Sequence, residues 1–162
     1  MASELVSVSV RRGDIVWVDL RGAVGTEKQK KRPCVVVQND TGNLRSPLTI
    51  VVPLTDTKAW RSYPQQVFVE ASELADGLKD SVVDCGHVRS VDKQNRIDGA
   101  RGVVAHLSDA TMKKVDDALR ASLGLKAQAA PAWPDAVSIN LDETATQTAE
   151  KLSSPPSDGS RA

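Results

Sequence analysis

Two short runs of β-branched residues decide the fold of this chain: Pro33-Cys-Val-Val-Val-Gln38 and Leu48-Thr-Ile-Val-Val-Pro-Leu54. Val and Ile are enriched in strands because their branched side chains fit a pleated, half-buried surface. Between the two runs, Asn39-Asp-Thr-Gly42-Asn43 is rich in turn residues. Strands this close together, with no long helix between them, favour antiparallel pairing in a small barrel over alternating strand-helix units.

The same composition recurs on both sides of this segment, in Ile15-Val-Trp-Val-Asp-Leu20, Gln66-Val-Phe-Val-Glu70 and Ser81-Val-Val-Asp-Cys85. One helix is predicted to follow the strands, with Ser108 as its N-cap and Gly124 just past its end. Its apolar stripe, expected to pack on the barrel, contains Met112, Val115, Leu119 and Leu123. A short helical turn is also expected at residues 72–75. The predicted fold class is therefore mainly β, a small antiparallel β-barrel with a C-terminal helix.

Composition divides the chain into two parts. Residues 125–162 are rich in Ala, Ser, Thr and Pro, and we expect this tail to be disordered because it cannot bury enough apolar surface. The tail has three Lys or Arg against five Asp or Glu, a net charge of −2, in a chain whose total is zero. Residues 1–124 therefore form the predicted domain, with a net charge of +2.

Several functional classes are excluded by the sequence. An apolar fraction of 40% with 26% charge excludes a wholly disordered chain, and no apolar run is long enough for a membrane helix. The N-terminus lacks the pattern of a secretion signal, so a cytoplasmic location is expected. Two His and two Cys have no zinc-site spacing, and no phosphate loop follows a strand, so neither metal nor cofactor is expected. Cys34 and Cys85 are predicted to be buried thiols.

A basic loop lies between the first two predicted strands. Residues 21–32 contain five cations and one carboxylate, and Arg32 precedes Pro33, which favours an extended backbone at the start of a strand. A solvated loop is the alternative on charge alone. The polar residues of this loop that we consider for binding are Thr26, Glu27, Lys28, Gln29, Lys30 and Arg32.

Two further segments could contact a nucleic acid. Lys58, Trp60, Arg61 and Tyr63 interleave cations with aromatics, as on surfaces that stack unpaired bases, although aromatics near a strand end are as often core residues. In Asp84-Cys-Gly-His87-Val-Arg89, alternation predicts that His87 and Arg89 share one face of a strand. A lone His is more often structural than catalytic. Residues 92–96 are predicted to form a turn.

These motifs together resemble one known family. Arg12-Gly-Asp-Ile-Val-Trp-Val-Asp19, Gly25-Thr-Glu27 with Arg32-Pro33, and Val35-Val-Val-Gln-Asn-Asp40 are similar to the MazF/PemK toxin endoribonucleases. The resemblance continues through Asn43, Ser46-Pro47, residues 50–55, Asp80-Ser-Val-Val83 and Val88-Arg-Ser-Val-Asp-Lys-Gln94. It covers about residues 10–124 in order and leaves out the tail.

The resemblance implies an SH3-like β-barrel with a terminal helix, usually in a homodimer. It implies sequence-specific, metal-independent cleavage of single-stranded RNA, typically mRNA, and a cognate antitoxin that occupies the RNA groove. By position, the catalytic residues of the family fall on Arg32, Thr55 and Glu27. A guanidinium and a hydroxyl suit charge stabilisation and phosphate binding. The proton acceptor stays open between Glu27, water and the Arg itself.

One position departs from the family pattern. Where relatives often have Glu-Gln, this chain has Gly86-His87, which should alter the bases accepted, since an imidazole cannot mimic a bidentate amide. A catalytic His87 is the other interpretation. The alternative function is a non-enzymatic toxin on the same barrel that poisons DNA gyrase, as the CcdB group does. In the tail, Val137-Ser-Ile-Asn-Leu141 could add as a strand or cover the groove, the alternative being a disordered appendage.

Overall fold

The computed structural model describes residues 8–126, which form a curled antiparallel sheet, an open half-barrel, with a C-terminal helix. The strands are β1 (Asp14–Asp19), β2 (Lys31–Val36), β3 (Leu48–Asp56), β4 (Gln66–Val69), β5 (Ser81–Asp84), β6 (Arg89–Asp92) and β7 (Val103–His106). The helices are α1 (Asp40–Arg45), α2 (Lys93–Arg96) and α3 (Asp109–Leu123). Single 3-10 turns occupy Thr57–Ala59, Ala71–Glu73 and Cys85–His87. The predicted mainly-β class is confirmed.

All strand pairs are antiparallel, in the order β4-β5-β3-β2-β1-β7, and β6 also pairs with β3. The five strands predicted from Val and Ile runs are present. The strand β7 was not predicted from the sequence, and the strand expected to contain both His87 and Arg89 is β6, which begins only at Arg89. In β6 only Val91 is apolar, so the strand exists because β3 supplies a partner. The turns predicted at residues 39–43 and 92–96 are instead the short helices α1 and α2, capped by Asn39 and Asp92.

On one edge β3 pairs first with β6 and then with β5, and Pro53 lies where one partner gives way to the other. The Ile50 carbonyl accepts from Val37 N at 2.9 Å, so the backbone polar groups of Ile50 point towards β2. These groups alternate in direction along a strand, so those of residue 53 point the other way, towards β5 and β6. Pro53 has no N–H to donate there. The last β3–β5 pair towards the turn is Leu54↔Val83, and the first β3–β6 pair after it is Val51↔Arg89. Residues 84–88 therefore do not pair with β3, and within them the chain forms the 3-10 turn Cys85–His87. The site described below lies at this interruption.

The sheet is covered on both faces, which is why its central strands are continuous apolar runs. One apolar cluster contains Val35, Val52 and Leu54 and packs against α3 through Val115. The other contains Cys34, Val36 and Val51 on the opposite face and is covered by Val8, Val10 and Ile97. Adjacent residues of β2 therefore belong to different clusters, as the two-residue period of a strand requires.

Helix α3 begins and ends as predicted. Ser108 Oγ accepts from Thr111 N, and Gly124 closes the helix with a φ of 65°. Met112 and Val115 are buried, but Leu123 is 57% exposed, so the predicted stripe is wrong at that residue. Leu123 lies in the final turn, where no described element covers it. The tail predicted at residues 125–162 lies almost entirely outside the described residues, and so does the strand expected at 137–141.

The expected turn near residue 72 is the 3-10 turn Ala71–Glu73, and it stabilises the start of α3. Glu73 accepts from Ser108 Oγ at 2.9 Å, from Ser108 N at 3.2 Å and from Thr111 Oγ1 at 2.8 Å. Partial desolvation raises the pKa of Glu73, but hydrogen bonds from Thr111 and Ser108 outweigh it, so the pKa lies below its ordinary value.

We expect Glu73→Gln to lower the free energy of unfolding at pH 7 by about 1–2 kcal/mol, because Ser108 and Thr111 then lose a charged acceptor. The loss should shrink as pH falls through the lowered pKa of Glu73, since the parent carboxyl is then protonated as well. Urea unfolding at pH 7 and pH 3 measures both effects. Glu70→Gln, on an exposed carboxylate, is the control and should cost little. An equal loss at both pH values would contradict the assignment.

Candidate active site

Arg32 and Thr55 lie just beyond the last pair of the β2–β3 ladder. That ladder ends at Cys34↔Pro53, and continuing its register by two residues would set Arg32 opposite Thr55. By the two-residue period of a strand, Arg32 shares a face with Cys34 and Thr55 shares a face with Pro53, and these are the same face of the sheet. Both residues are half-buried. Arg32 Nε donates to the Gln29 carbonyl at 2.8 Å, which orients the guanidinium and leaves its terminal nitrogens for a ligand.

A second guanidinium lies on the same face. Arg89, the first residue of β6, is opposite Val51, which shares its face with Cys34. Burial raises the pKa of the Cys34 thiol to about 12, and the positive charges of Arg32 and Arg89 both oppose that rise. Arg89 Nη1 is buried and has no hydrogen-bond partner among the described residues. A buried N–H without an acceptor is costly, so this position suits an anionic ligand.

Asp84, the last residue of β5, brings a lysine and a histidine to this face. Its side chain shares a face with Val82, which lies opposite Thr55. Asp84 is only 8% exposed, and its Oδ2 lies 3.7 Å from Lys28 Nζ and 3.0 Å from His87 Nδ1. Its Oδ1 accepts from Gly86 N at 3.4 Å and so caps the 3-10 turn. We call Lys28, Asp84 and His87 the charge cluster, and the surface of Arg32, Thr55, Arg89 and this cluster the site face.

The placement of His87 corrects one prediction. His87 and Arg89 do not alternate along one strand, because His87 belongs to the 3-10 turn and β6 begins only at Arg89. His87 lies in the segment between β5 and β6 that does not pair with β3. Sequence analysis also missed the role of Asp84, although a carboxylate that ends the apolar run Ser81-Val-Val was a usable signal.

The basic loop contributes unequally to the site face. Arg21 is turned away to Asp19, with Nε 2.9 Å from Oδ2, and this hydrogen bond lowers the pKa of Asp19. Lys31 Nζ lies 3.6 Å from Asp98 Oδ2. Glu27 is exposed and accepts from Val24 N at 3.0 Å, within its own loop, and no hydrogen bond of the described residues joins it to Arg32. The other exposed residues of this loop considered for binding are Thr26, Gln29 and Lys30.

The aromatic segment follows β3 directly. Arg61 Nη1 donates to the carbonyls of Lys58 at 2.7 Å and Trp60 at 2.8 Å, which closes the segment on itself. Trp60 packs edge-on against Phe68 of β4, with ring centroids 6.0 Å apart. The row Thr55, Val82, Phe68 crosses three neighbouring strands on one face. The two rings also line a cavity of about 470 Å³ beside α3. Trp60 is therefore partly a packing residue.

Other features bear on the chemistry available. Burial raises the pKa of the Cys85 thiol, like that of Cys34, to about 12, and both thiols are free, so neither is a ready nucleophile. Within residues 8–126, no group of three His, Cys, Asp or Glu is arranged to hold a metal ion. No helix in this same part of the chain has the length and apolarity to cross a membrane.

Residues 11–123 match the family described as the PemK-like, MazF-like toxin of type II toxin-antitoxin system. The chain belongs to the PemK/MazF toxin family. This confirms the resemblance drawn from the motifs. The match begins at Arg11 and ends at the last residue of α3, so it includes the sheet, α3 and the whole site face.

Named relatives agree with this assignment. The chain is 39% identical over 116 residues to Endoribonuclease EndoA of Bacillus subtilis (strain 168), which covers 72% of this chain and 96% of the relative. A solved structure of a mycobacterial endoribonuclease in complex with its cognate antitoxin is 25% identical, with a TM-score of 0.56, and covers 72% of this chain and 97% of that one. The solved structure of MazF from Deinococcus radiodurans shares the fold, with a TM-score of 0.58 and 23% identity. The match covers 72% of this chain and 98% of that one.

Proposed function

We propose that this PemK/MazF-family protein is a toxin that cleaves single-stranded RNA, with mRNA as the cellular substrate, and that it needs no metal ion. The observation that carries the proposal is the 39% identity to a named endoribonuclease. It is supported by the positions of Arg32 and Thr55, each two residues beyond the Cys34↔Pro53 pair that ends the β2–β3 ladder. The gyrase-poison alternative needs neither residue, and the relatives with named activities described above are endoribonucleases.

The chemistry follows from the groups on the site face. Cleavage by the neighbouring 2′-hydroxyl forms an O2′–P bond, breaks the P–O5′ bond and passes through a phosphorane that bears extra negative charge. Arg32 can stabilise that charge through its free terminal nitrogens, and Thr55 can donate to the same phosphate. The buried Nη1 of Arg89 offers a further donor. A catalytic role for Glu27 stays a prediction, and its exposed position does not favour it.

Substrate binding would extend from the site face in two directions. The basic loop offers Lys28 and Lys30 to phosphates, with Thr26 and Gln29 beside them as hydrogen-bonding groups. On the other side, Phe68 lies about 10 Å from Thr55, two strand spacings away, and an unpaired base could stack there beside Trp60. Lys58 and Arg61 flank that position. Such a site needs only a short RNA segment.

The partners proposed for the chain follow from its family. A solved relative is an endoribonuclease in complex with its cognate antitoxin, and we propose that an acidic antitoxin peptide covers the site face of this chain too. We also propose a homodimer in the cytoplasm. Size-exclusion chromatography with light scattering tests the homodimer, and repeating it with any small acidic protein found in the neighbouring reading frame tests the antitoxin.

Activity is tested by incubating the full chain with a long single-stranded RNA in excess EDTA. We expect cleavage at short sequences, and we expect Thr55→Val to lower kcat/KM by about 10–100-fold, the loss of one hydrogen bond to a charged group. Thr55→Ser keeps the hydroxyl and is the matched control, which should stay within a few-fold of the parent. Intact RNA with the parent chain would overturn the proposed function. Equal losses in the Val and Ser variants would overturn the role of the hydroxyl.

A further inference from the structure

The charge cluster places a histidine in a specific orientation. Asp84 Oδ2 lies 3.0 Å from His87 Nδ1, while the His87 side chain as a whole is 35% exposed. Nδ1 itself is buried, so the exposed part of the ring belongs to its other atoms. Nδ1 makes no aligned hydrogen bond among the described residues, but the negative charge of Asp84 beside it attracts a proton to that nitrogen, and Nε2 is then the nitrogen with the lone pair.

The charge cluster also borders the reacting groups. Asp84 follows Val82, the residue opposite Thr55, on the same face of the sheet. Lys28 comes from the loop that leads into Arg32, and its Nζ is 3.7 Å from the same Asp84 oxygen. One buried carboxylate therefore fixes both the 3-10 turn that bears His87 and the loop that precedes Arg32.

We infer that His87 is the general base of the RNA cleavage and that Asp84 is its positioning residue, an inference that rests on the proposed endoribonuclease function. His87 Nε2 takes the proton of the 2′-hydroxyl as O2′ bonds to phosphorus. O5′ leaves with the P–O5′ electron pair and takes a proton from water. The imidazolium then returns its proton to the hydroxide so formed. The products are a 2′,3′-cyclic phosphate and a 5′-hydroxyl.

His87 meets this requirement better than the other residues of the site face. A guanidinium and a hydroxyl are poor bases near neutral pH, whereas an imidazole is suited to the task. Glu27 is bound within its own exposed loop. The Nδ1–Oδ2 distance is that of a hydrogen bond, but the N–H does not point along it, a misalignment common in active sites without substrate.

The charged groups around His87 come from several elements. Lys28 approaches from the basic loop, Asp84 from β5 and Arg89 from β6. Helix α3 packs against the 3-10 turn, where its Asp116 acts on Cys85 and is itself paired with Arg12. The carboxylate nearest to the ring is therefore Asp84, and the inference can be tested on that pair.

The test is the pH dependence of kcat/KM on single-stranded RNA in EDTA, for the full-length parent, His87→Gln, Asp84→Asn and the double variant. The parent should lose activity tenfold per pH unit on the acid side. His87→Gln should be about 100-fold slower at pH 7.5, within the range of general-base losses, and should lack this acid limb. Asp84→Asn should lower kcat with little change in KM and keep the limb, and the double variant should match His87→Gln.

Gln94→Ala, an exposed residue of α2, is the matched control and should behave as the parent. Intact RNA with the parent would overturn the proposed function itself. A parent that cleaves RNA without an acid limb, or a His87→Gln variant that keeps the limb, would overturn the inference about His87 alone. Altered cleavage sites with an unchanged limb would do the same and would make His87 a base-reading residue. Additive losses in the double variant would remove Asp84 from its positioning role.

Discussion

Replacing Arg32 by Lys should lower kcat/KM for RNA about 10³-fold, at the upper end of losses for a charge-stabilising donor. The positive charge is retained, but its geometry is not. In the folded chain Arg32 Nε donates to the Gln29 carbonyl at 2.8 Å, and its terminal nitrogens have no hydrogen-bond partner among the described residues. A lysine ammonium is a point charge that cannot satisfy Gln29 and two phosphate oxygens in one plane.

This prediction is measured by initial rates on a fluorogenic RNA at pH 7.5 in EDTA, alongside Arg32→Ala and the unfolding free energy of each variant. Arg120→Lys is the control, since Arg120 is exposed on α3 and pairs only with Asp117 among the described residues. The free energy of unfolding of Arg32→Lys should change by less than about 0.5 kcal/mol, as for most surface substitutions. A Lys variant as active as the parent would show that charge alone is sufficient.

The largest effect on stability is expected from Leu107→Ala, at about 3 kcal/mol of unfolding free energy. Leu107 has no exposed surface and packs in the apolar cluster between the sheet and α3. Its backbone N donates to the Gly13 carbonyl at 3.0 Å, so the main chain cannot easily move inward to fill the space. For a domain whose total stability is about 5–15 kcal/mol, this is a large fraction.

Urea unfolding followed by Trp fluorescence measures the loss, because Trp17 and Trp60 lie within the folded domain. Leu44→Ala removes the same side chain at a position that is 84% exposed, and it should cost less than about 0.5 kcal/mol. A loss below about 1 kcal/mol for Leu107→Ala would mean that the core refills the cavity, which is not expected at native packing density.

The fold could be predicted from the sequence wherever local signals were strong. Runs such as Pro33–Val37 and the N-cap Ser108 each identify an element without reference to the rest of the chain. The start of β6 at Arg89 could not be predicted this way, because Val91 is its one apolar residue and its pairing with β3 is non-local. The exposure of Leu123 was equally hidden, since helical periodicity does not say where the neighbouring sheet stops.

The candidate site divides along the same line. Arg32 and Thr55 were identified by family resemblance, and each lies two residues beyond the Cys34↔Pro53 pair that ends the β2–β3 ladder. Asp84 carries no motif of its own, and its significance arises from Lys28 and His87 on either side of one carboxylate oxygen. Those contacts depend on the 3-10 turn that follows β5, at the point where β3 has Pro53 and no N–H to donate.

The sequence by itself determined the mainly-β class, the capped C-terminal helix and membership of the PemK/MazF toxin family, because composition, caps and motifs are local properties of the chain. Only the tertiary structure decided which polar groups meet. Strand register sets Cys34 opposite Pro53, and folding brings Lys28 and His87 to one carboxylate oxygen of Asp84. Contacts between residues distant in the chain are fixed by pairing and packing, so no single segment of the sequence encodes them.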